Sequence, residues 1–231
     1  VAEVAFKPGH GKALAVPCDI TSQGDCERTV SETVRLFNGL HILINNAGKG
    51  PTQVEQAPKT KSMKFWETDP DAWAKVIETN VVGTYYMSRV AAPHLIRNGW
   101  GRIVNVTTSL PTMQRRHNSP YGVSKAAIET ETLIWAQDLD GTGVSCNSLI
   151  PGGTVETAFL SAMGKEEARS GGRTLLQPEV MISPALWLCS GLSDGINGRR
   201  YVGKFWKPEM EIEAGVAAAL EAPVLLRPSE P

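Results

Sequence analysis

A tyrosine and a lysine lie four residues apart in the stretch SPYGVSKAAIE, as Tyr121 and Lys125. On a helix, positions i and i+4 share one face, about 5–6 Å apart at Cβ. A free phenol titrates near about pH 10, and a neighbouring ammonium favours its ionised form. Lowering that pKa by about 3 units takes about 4 kcal/mol, which a desolvated lysine beside a cofactor cation can supply. The pair therefore predicts general acid/base chemistry on a carbonyl or an alcohol.

Hydroxyl side chains precede this pair at the end of an apolar run, RIVNVTTS, residues 102–109. Thr108 and Ser109 are the two candidates for holding a substrate oxygen beside the phenol. The residue types do not choose between them, because either hydroxyl donates a hydrogen bond.

Apolar runs of strand length alternate along the chain with stretches of helical periodicity. The predicted strands are 12–20 (with its core at Ala13 to Val16), 40–48, 102–109, 144–153 and one near 199–204. The predicted helices are 21–37, 69–101, 121–140 and one around 178–190. This order predicts an α/β fold with a parallel sheet and helical crossovers. The unusual polar residues all fall at predicted carboxyl ends of strands, where such sheets bind ligands.

Composition excludes several classes of protein. The chain has 231 residues, 42% of them apolar, and a net charge of −1, which gives no bulk footprint for nucleic acid or anionic membrane. Four cysteines without a CxxC pair predict reduced thiols in a cytoplasmic protein. No apolar run reaches 18 residues, no signal-peptide pattern begins the chain, and the histidines lack metal-ligand spacing. We therefore expect no membrane span, no signal peptide and no metal.

Six motifs in order make the chain resemble the short-chain dehydrogenases/reductases. They are CDITS (18–22), NNAG (45–48), ETN (78–80), GRIVNVTTS (101–109), YGVSK (121–125) and PGGTVET (151–157). YxxxK alone is common by chance, whereas the ordered set is specific and covers most of residues 12–203. The resemblance implies a Rossmann-like doubly wound parallel sheet and an NAD(P)-dependent oxidoreductase acting on a carbonyl or secondary alcohol.

The resemblance also implies roles for individual residues. Tyr121 is the acid/base, Lys125 lowers its pKa and bonds the nicotinamide ribose, and Asn80 holds a water that links Lys125 to a proton relay. The implied catalytic set is Asn80, Thr108, Ser109, Tyr121 and Lys125. The implied cofactor-binding set is Asp19, Ile20, Asn46, Ala47, Gly48, Tyr121, Lys125, Pro151, Gly152, Val155 and Thr157. Among these, Asp19 faces the adenine, Asn46 to Gly48 pack beside the adenosine half, and Pro151 and Gly152 lie near the nicotinamide.

The sequence departs from the family pattern in three places. The family's catalytic serine lies thirteen residues before the tyrosine, which is Thr108 here, with Ser109 beside it. The motif at 151–157 is one residue longer than usual, so Thr154 competes with Thr157 for the nicotinamide carboxamide or the phosphates. The early glycines in KPGHGK match no dinucleotide-binding turn. We therefore expect a sheet that lacks its first strand and Gly-rich turn.

The predicted organisation is one domain over residues 1–213 and a loose tail over 214–231. The family pairs through helices corresponding to 71–98 and 121–140, which implies a homodimer or homotetramer with Val81, Tyr85 and Ile134 in the contact. NAD and NADP are both open, as is the substrate. A non-catalytic relative of the same fold remains the alternative function, and an isomerase or dehydratase using the same pair is a third.

Overall fold

A computed structural model describes residues 11–50, 64–160, 162–172 and 174–222 of the chain. The strands are β1 (Ile42–Asn45), β2 (Gly101–Val106), β3 (Val144–Ile150), β4 (Arg200–Val202) and β5 (Leu220–Glu221). The helices are α1 (Gln23–Phe37), α2 (Pro70–Ile77), α3 (Thr84–Arg97), α4 (Leu110–Met113), α5 (Tyr121–Asp138), α6 (Ala162–Ser170), α7 (Ile182–Leu188) and α8 (Ile212–Ala219). A π-helical segment, Glu78–Gly83, joins α2 to α3. Short 3₁₀ turns cover Phe65–Glu67, Pro178–Met181, Gly191–Ser193 and Gly203–Phe205.

The strands form one sheet in the order β1-β2-β3-β4-β5. The first four strands run parallel, and β5 is antiparallel to β4. Alternate residues of β2 face opposite layers: Ile103 packs with Leu95 of α3, and Val104 packs with Leu188 of α7. Helices therefore cover both faces of the parallel strands, which confirms the predicted doubly wound architecture.

Among the described residues, β1 is the edge of this sheet, with Ile42 and Ile44 at 37% and 47% exposure. The strand predicted over 12–20 is wrong, because residues 11–19 adopt no regular secondary structure and Leu14 is 51% exposed. A strand requires a hydrogen-bonded neighbour, and this segment pairs with none of the residues that the structure describes. Pro17 also removes one donor from it.

The long helix predicted over 69–101 is present, but it is divided. The π-helical segment interrupts it between α2 and α3 and carries Asn80 at 1% exposure. Gly83, the last residue of this segment, packs closely against Ile20. A Cβ at Gly83 would lie 2.7 Å from the Ile20 side chain. The divided helix thus passes close to the residues that follow the unstructured segment.

The expectation of a loose tail from residue 214 is wrong as far as Glu221. Helix α8 and strand β5 occupy this stretch, and Ala219 is fully buried. Gly215 lies against the Trp206 ring, where a Cβ would be 2.3 Å from it. Alanine and glycine here serve close packing rather than disorder; the remaining tail, 223–231, lies outside the described residues. No helix in the described part of the chain is both long and apolar enough to cross a membrane.

Candidate active site

The carboxyl ends of the parallel strands bring the predicted site residues to one edge of the sheet. Asn46 to Gly48 follow β1, Thr107 to Ser109 follow β2, and Pro151 and Gly152 follow β3. The parallel registers align these ends, with Asn45 opposite Asn105 and Val106 opposite Leu149. The sequence-based placement of ligand-binding groups at this edge therefore agrees with the strand geometry.

The start of α5 places Tyr121 at this edge. Its second residue, Gly122, packs so closely on α4 that a Cβ would lie 2.0 Å from the Met113 carbonyl oxygen. The preceding loop is held by Asn118, whose Nδ2 donates to the Thr112 carbonyl at 2.6 Å and whose carbonyl accepts from the Gly122 N–H at 2.7 Å. Only glycine permits this approach, so the position of the phenol is fixed by backbone packing.

The Thr108 side chain lies beside the Tyr121 phenol and lowers its pKa. Ser109 makes a different contact, because its Oγ lies 2.9 Å from Oγ1 of Thr112. The two hydroxyls that the sequence left as alternatives therefore have different partners.

Burial raises the pKa of Tyr121 above its ordinary value. The hydrogen bond from Thr108 and the charge of Arg115 oppose this shift without overcoming it. The protein chain alone thus does not provide the lowered phenol pKa that the Tyr121–Lys125 spacing predicted. Desolvation is the dominant effect, and a further positive charge is needed to reverse it.

Lys125 lies one helical turn after Tyr121 and is 7% exposed. Its Nζ lies 6.0 Å from the centroid of the Tyr121 ring and donates a hydrogen bond of 2.8 Å to the Val106 carbonyl. Burial lowers the pKa of Lys125 to about 8, and the carboxylate of Glu129 opposes that shift. A titratable cation thus lies beneath the phenol.

Asn80 links the loop after β1 to α5. Its amide pairs with both backbone groups of Lys49: Oδ1 accepts from the N–H at 2.7 Å and Nδ2 donates to the carbonyl at 2.9 Å. Nδ2 also donates to Ser124 Oγ at 2.9 Å. A Cβ on Gly48 would lie 3.1 Å from Asn80 Oδ1 and 3.7 Å from Lys125 Nζ. The structure therefore brings Asn80, Lys125 and Gly48 together; π-helical segments of this kind are frequent at functional sites.

The loop after β3 covers the phenol from the other side. Gly152 adopts φ +90°, a conformation that favours glycine. Phe159 lies 5.9 Å from the Tyr121 ring centroid and also packs on Gly50, where a Cβ would be 2.6 Å from its ring. Thr157 Oγ1 accepts from the Phe159 N–H at 3.3 Å, whereas Thr154 bonds Leu176 only through its backbone carbonyl. Val155 forms an isolated bridge with the same leucine.

The residues predicted beside the adenosine half of the cofactor include Asp19, Asn46 and Ala47. Asp19 caps a turn, in which its Oδ1 accepts from the Thr21 N–H at 3.0 Å and from the Thr21 hydroxyl at 2.8 Å. These bonds lower the pKa of Asp19. Asn46 and Ala47 are exposed after β1. The predicted contacts of these residues with a cofactor stay predictions.

Two buried charged residues beside the site were not predicted. Glu129 is 4% exposed and pairs with Arg200, which is 1% exposed. The sequence did indicate Glu129, because it follows Lys125 by four residues and such residues share a helix face. It did not indicate Arg200, since its partner lies 71 residues earlier in the chain.

The chain matches the family of short chain dehydrogenases over residues 1–168, and it therefore belongs to that family. Its relatives include a short-chain type dehydrogenase/reductase of Picea abies, 31% identical over 68% of this chain and 54% of the relative. An L-fucose dehydrogenase of Bos taurus is 33% identical over 58% of this chain and 46% of its own length. The chain thus spans about half the length of these curated relatives.

Solved structures show the same fold. A 3-ketoacyl-(acyl-carrier-protein) reductase from Brucella melitensis complexed with NADH is 27% identical, with a TM-score of 0.70 over 81% of this chain and 75% of that one. A gluconate 5-dehydrogenase from Burkholderia cenocepacia in complex with NADP and tartrate is 23% identical, with a TM-score of 0.66 over 80% and 71%. The predicted family and Rossmann-like fold class are confirmed.

Proposed function

We propose that this protein is an NAD(P)-dependent oxidoreductase that transfers a hydride between a nicotinamide cofactor and a carbonyl or secondary alcohol. The observation that carries the proposal is the buried ammonium of Lys125 beside the Tyr121 phenol, with Nζ 6.0 Å from the ring centroid. Family membership supports the reaction class, and the NADH and NADP in the two related structures support the cofactor.

The residues at the strand ends fit a dinucleotide. Gly48 leaves the loop after β1 open beside Lys125, since a side chain there would press on both Asn80 and the ammonium. Among the described residues, Lys125 Nζ donates to one protein acceptor, the Val106 carbonyl, which leaves ammonium hydrogens for ribose hydroxyls. We assign the nicotinamide half to Tyr121, Lys125, Pro151 and Gly152, and the remainder to the other residues of the predicted set.

When bound, the oxidised cofactor supplies the hydride acceptor and a positive ring charge. The protein supplies the proton transfer. Thr108 orients the substrate oxygen, and Tyr121 donates a proton to it during carbonyl reduction or accepts one during alcohol oxidation. Lys125 holds a positive charge beneath the phenol, which favours the phenolate and opposes the effect of burial.

Initial rates with NAD, NADP and their reduced forms test this function against a panel of ketones and secondary alcohols. Turnover that requires the dinucleotide supports the proposal. Dinucleotide binding without turnover on any member would favour the non-catalytic alternative, and turnover without net hydride transfer would favour an isomerase or dehydratase.

Thr108 and Ser109 should differ in their effect on catalysis. Removing one hydrogen-bond donor to a reacting oxygen costs about 10²–10³-fold in kcat, so Thr108→Ala should lose about that much. Ser109→Ala should stay within about threefold of wild type, because that hydroxyl bonds Thr112. Thr108→Ser should restore most of the rate. Equal losses in the two alanine variants, measured at saturating substrate, would contradict the assignment to Thr108.

A dimer or tetramer is our proposal for the assembled protein. Tyr85 on α3 and Ile134 on α5 are large apolar side chains with 44% and 45% exposure, on the two helices through which the family pairs. Tyr85→Glu with Ile134→Glu should shift sedimentation to the monomer. Phe37→Glu, at a residue of equal exposure on α1, should not. A wild-type protein that sediments only as monomer at micromolar concentration would contradict this prediction.

The cytoplasm is the compartment we propose. All four cysteines are free in the structure, and free thiols persist in a reducing compartment.

A further inference from the structure

Glu129 extends the functional face of α5 by one more turn. Tyr121, Lys125 and Glu129 follow one another at intervals of four residues, so their side chains share one face of the helix. Glu129 is 4% exposed, and its Oε1 accepts from Arg200 Nη1 and from the Thr107 hydroxyl. A buried carboxylate of this kind persists only when it is paired and hydrogen-bonded.

Arg200 reaches the same segment of backbone from β4. Its Nη2 donates to the Thr108 carbonyl at 3.2 Å, while Nε donates to Glu221 Oε2 at 2.7 Å. The Thr108 side chain is the one that lowers the pKa of the phenol. Because the guanidinium is planar, these bonds fix the Thr108 backbone relative to Glu129.

Three consecutive residues at the carboxyl end of β2 are therefore each bonded by a different buried charged residue. Lys125 bonds the carbonyl of Val106 at 2.8 Å, Glu129 bonds the hydroxyl of Thr107, and Arg200 bonds the carbonyl of Thr108. The segment 106–108 carries the hydroxyl that orients the substrate in the proposed reaction. Its position depends on charges contributed by α5 and β4.

We propose that Glu129 and Arg200 are positioning residues: they hold Thr108 at the Tyr121 phenol and provide the counter-charge for the buried ammonium of Lys125. This inference rests on the proposed oxidoreductase function for its effect on turnover. Its effect on Lys125 is a property of the protein chain and does not depend on that function.

The groups around Lys125 support the role of Glu129 as its counter-charge. On its own helix it faces Tyr121 and Glu129; β2 contributes the Val106 carbonyl, and the π-helical segment contributes the uncharged Asn80. Burial lowers the pKa of Lys125, and Glu129 is the group that raises it. Removing the carboxylate should therefore move the titration of Lys125 further down in pH.

The remaining charges lie behind Glu129. Arg200 of β4 contacts it directly, and Glu221 of β5 contacts Arg200 from the half-exposed side. Burial raises the pKa of Glu129, and Arg200 and the Thr107 hydroxyl oppose that shift. From Lys125 through Glu129 and Arg200 to Glu221, cations and anions thus alternate.

The test compares Glu129→Gln, Arg200→Lys and a matched control, Asp194→Asn. Asp194 also accepts a hydrogen bond from a buried arginine, Arg102, but at the opposite end of β2. Two quantities are measured on each folded variant: kcat and KM across pH, and the titration of Lys125 by NMR with labelled lysine in the resting protein. The double variant Glu129→Leu with Arg200→Met is included because it removes both members of the buried pair, so neither is left without the other.

Glu129→Gln should lower kcat about 10- to 100-fold with little change in KM, and it should shift the Lys125 titration below about 8. Arg200→Lys keeps a charge but loses the fixed geometry, so it should lower kcat and leave the Lys125 titration nearly unchanged. Asp194→Asn should change neither quantity. The double variant should fold and show the same loss of kcat.

Unchanged Lys125 titration in Glu129→Gln, or kcat within about twofold of wild type in the double variant, would overturn the proposal. If the wild-type protein shows no turnover but Glu129→Gln shifts the Lys125 titration, the oxidoreductase function fails and the counter-charge role stands. The two failures are therefore distinguishable.

Discussion

Tyr121→Phe should lower turnover by at least about 100-fold while leaving dinucleotide affinity nearly unchanged. Phenylalanine keeps the ring that packs on Phe159 and removes only the hydroxyl. The lost group is the proton donor of the proposed reaction, so the loss belongs to kcat rather than to binding. Steady-state rates and a titration of the dinucleotide measure the two quantities separately.

Tyr201→Phe is the matched control for this experiment. Tyr201 is also buried and packs against Trp187, on β4 and away from the phenol of Tyr121. It should retain wild-type turnover. If Tyr121→Phe keeps more than about a tenth of wild-type turnover, the acid/base assignment is wrong, and the isomerase and non-catalytic alternatives become the better explanations.

The parallel sheet was predictable because each central strand carries its own signal. GRIVNV and VSCNSLI are runs of strand length that carry several aliphatic residues and lie between helical segments, and in the structure both are buried throughout or nearly so. Such runs need no long-range information, since burial on both faces by crossover helices explains them. The ordered motifs then placed the polar residues at the carboxyl ends.

Errors arose where a segment's neighbours decide its structure. LAV at 14–16 has strand propensity but no partner strand within the described part of the chain, whereas the alanine-rich residues near 216–219 form a helix because Trp206 and β4 lie against them. The pairing of Glu129 with Arg200 joins two elements, α5 and β4, that no sequence pattern connects. Propensity is a weak prior in all three cases, and tertiary contacts override it.

The direction in which the pKa of Tyr121 shifts was likewise not predictable from the sequence. The spacing of Tyr121 and Lys125 correctly predicts that they share a helix face. It does not reveal that burial raises the phenol pKa, because desolvation depends on how the whole site is packed. In the proposed function, an oxidised cofactor would supply a further positive charge beside the phenol.

Lys125→Met should remove most turnover, weaken dinucleotide binding and change how stability depends on pH. In the folded chain the pKa of Lys125 is about 8, below its ordinary value of 10.5. Below pH 8 the side chain is protonated in both states, so the folded state bears the full cost of burying the charge. As pH rises above 8, the folded lysine becomes neutral while the unfolded lysine stays protonated, and this cost is relieved.

The stability of wild type relative to Lys125→Met should therefore rise by about 2 kcal/mol between pH 7 and pH 10. Chemical denaturation of both proteins across this range measures the difference, and the other titrating groups cancel because both proteins carry them. Lys75→Met, at an exposed lysine on α2, should give a flat difference. A flat difference for Lys125→Met as well would show that Lys125 is not held as a buried cation. Its proposed effect on the Tyr121 phenol would then lose its physical basis, because a hydrated ammonium at this distance is too strongly screened to shift the phenol.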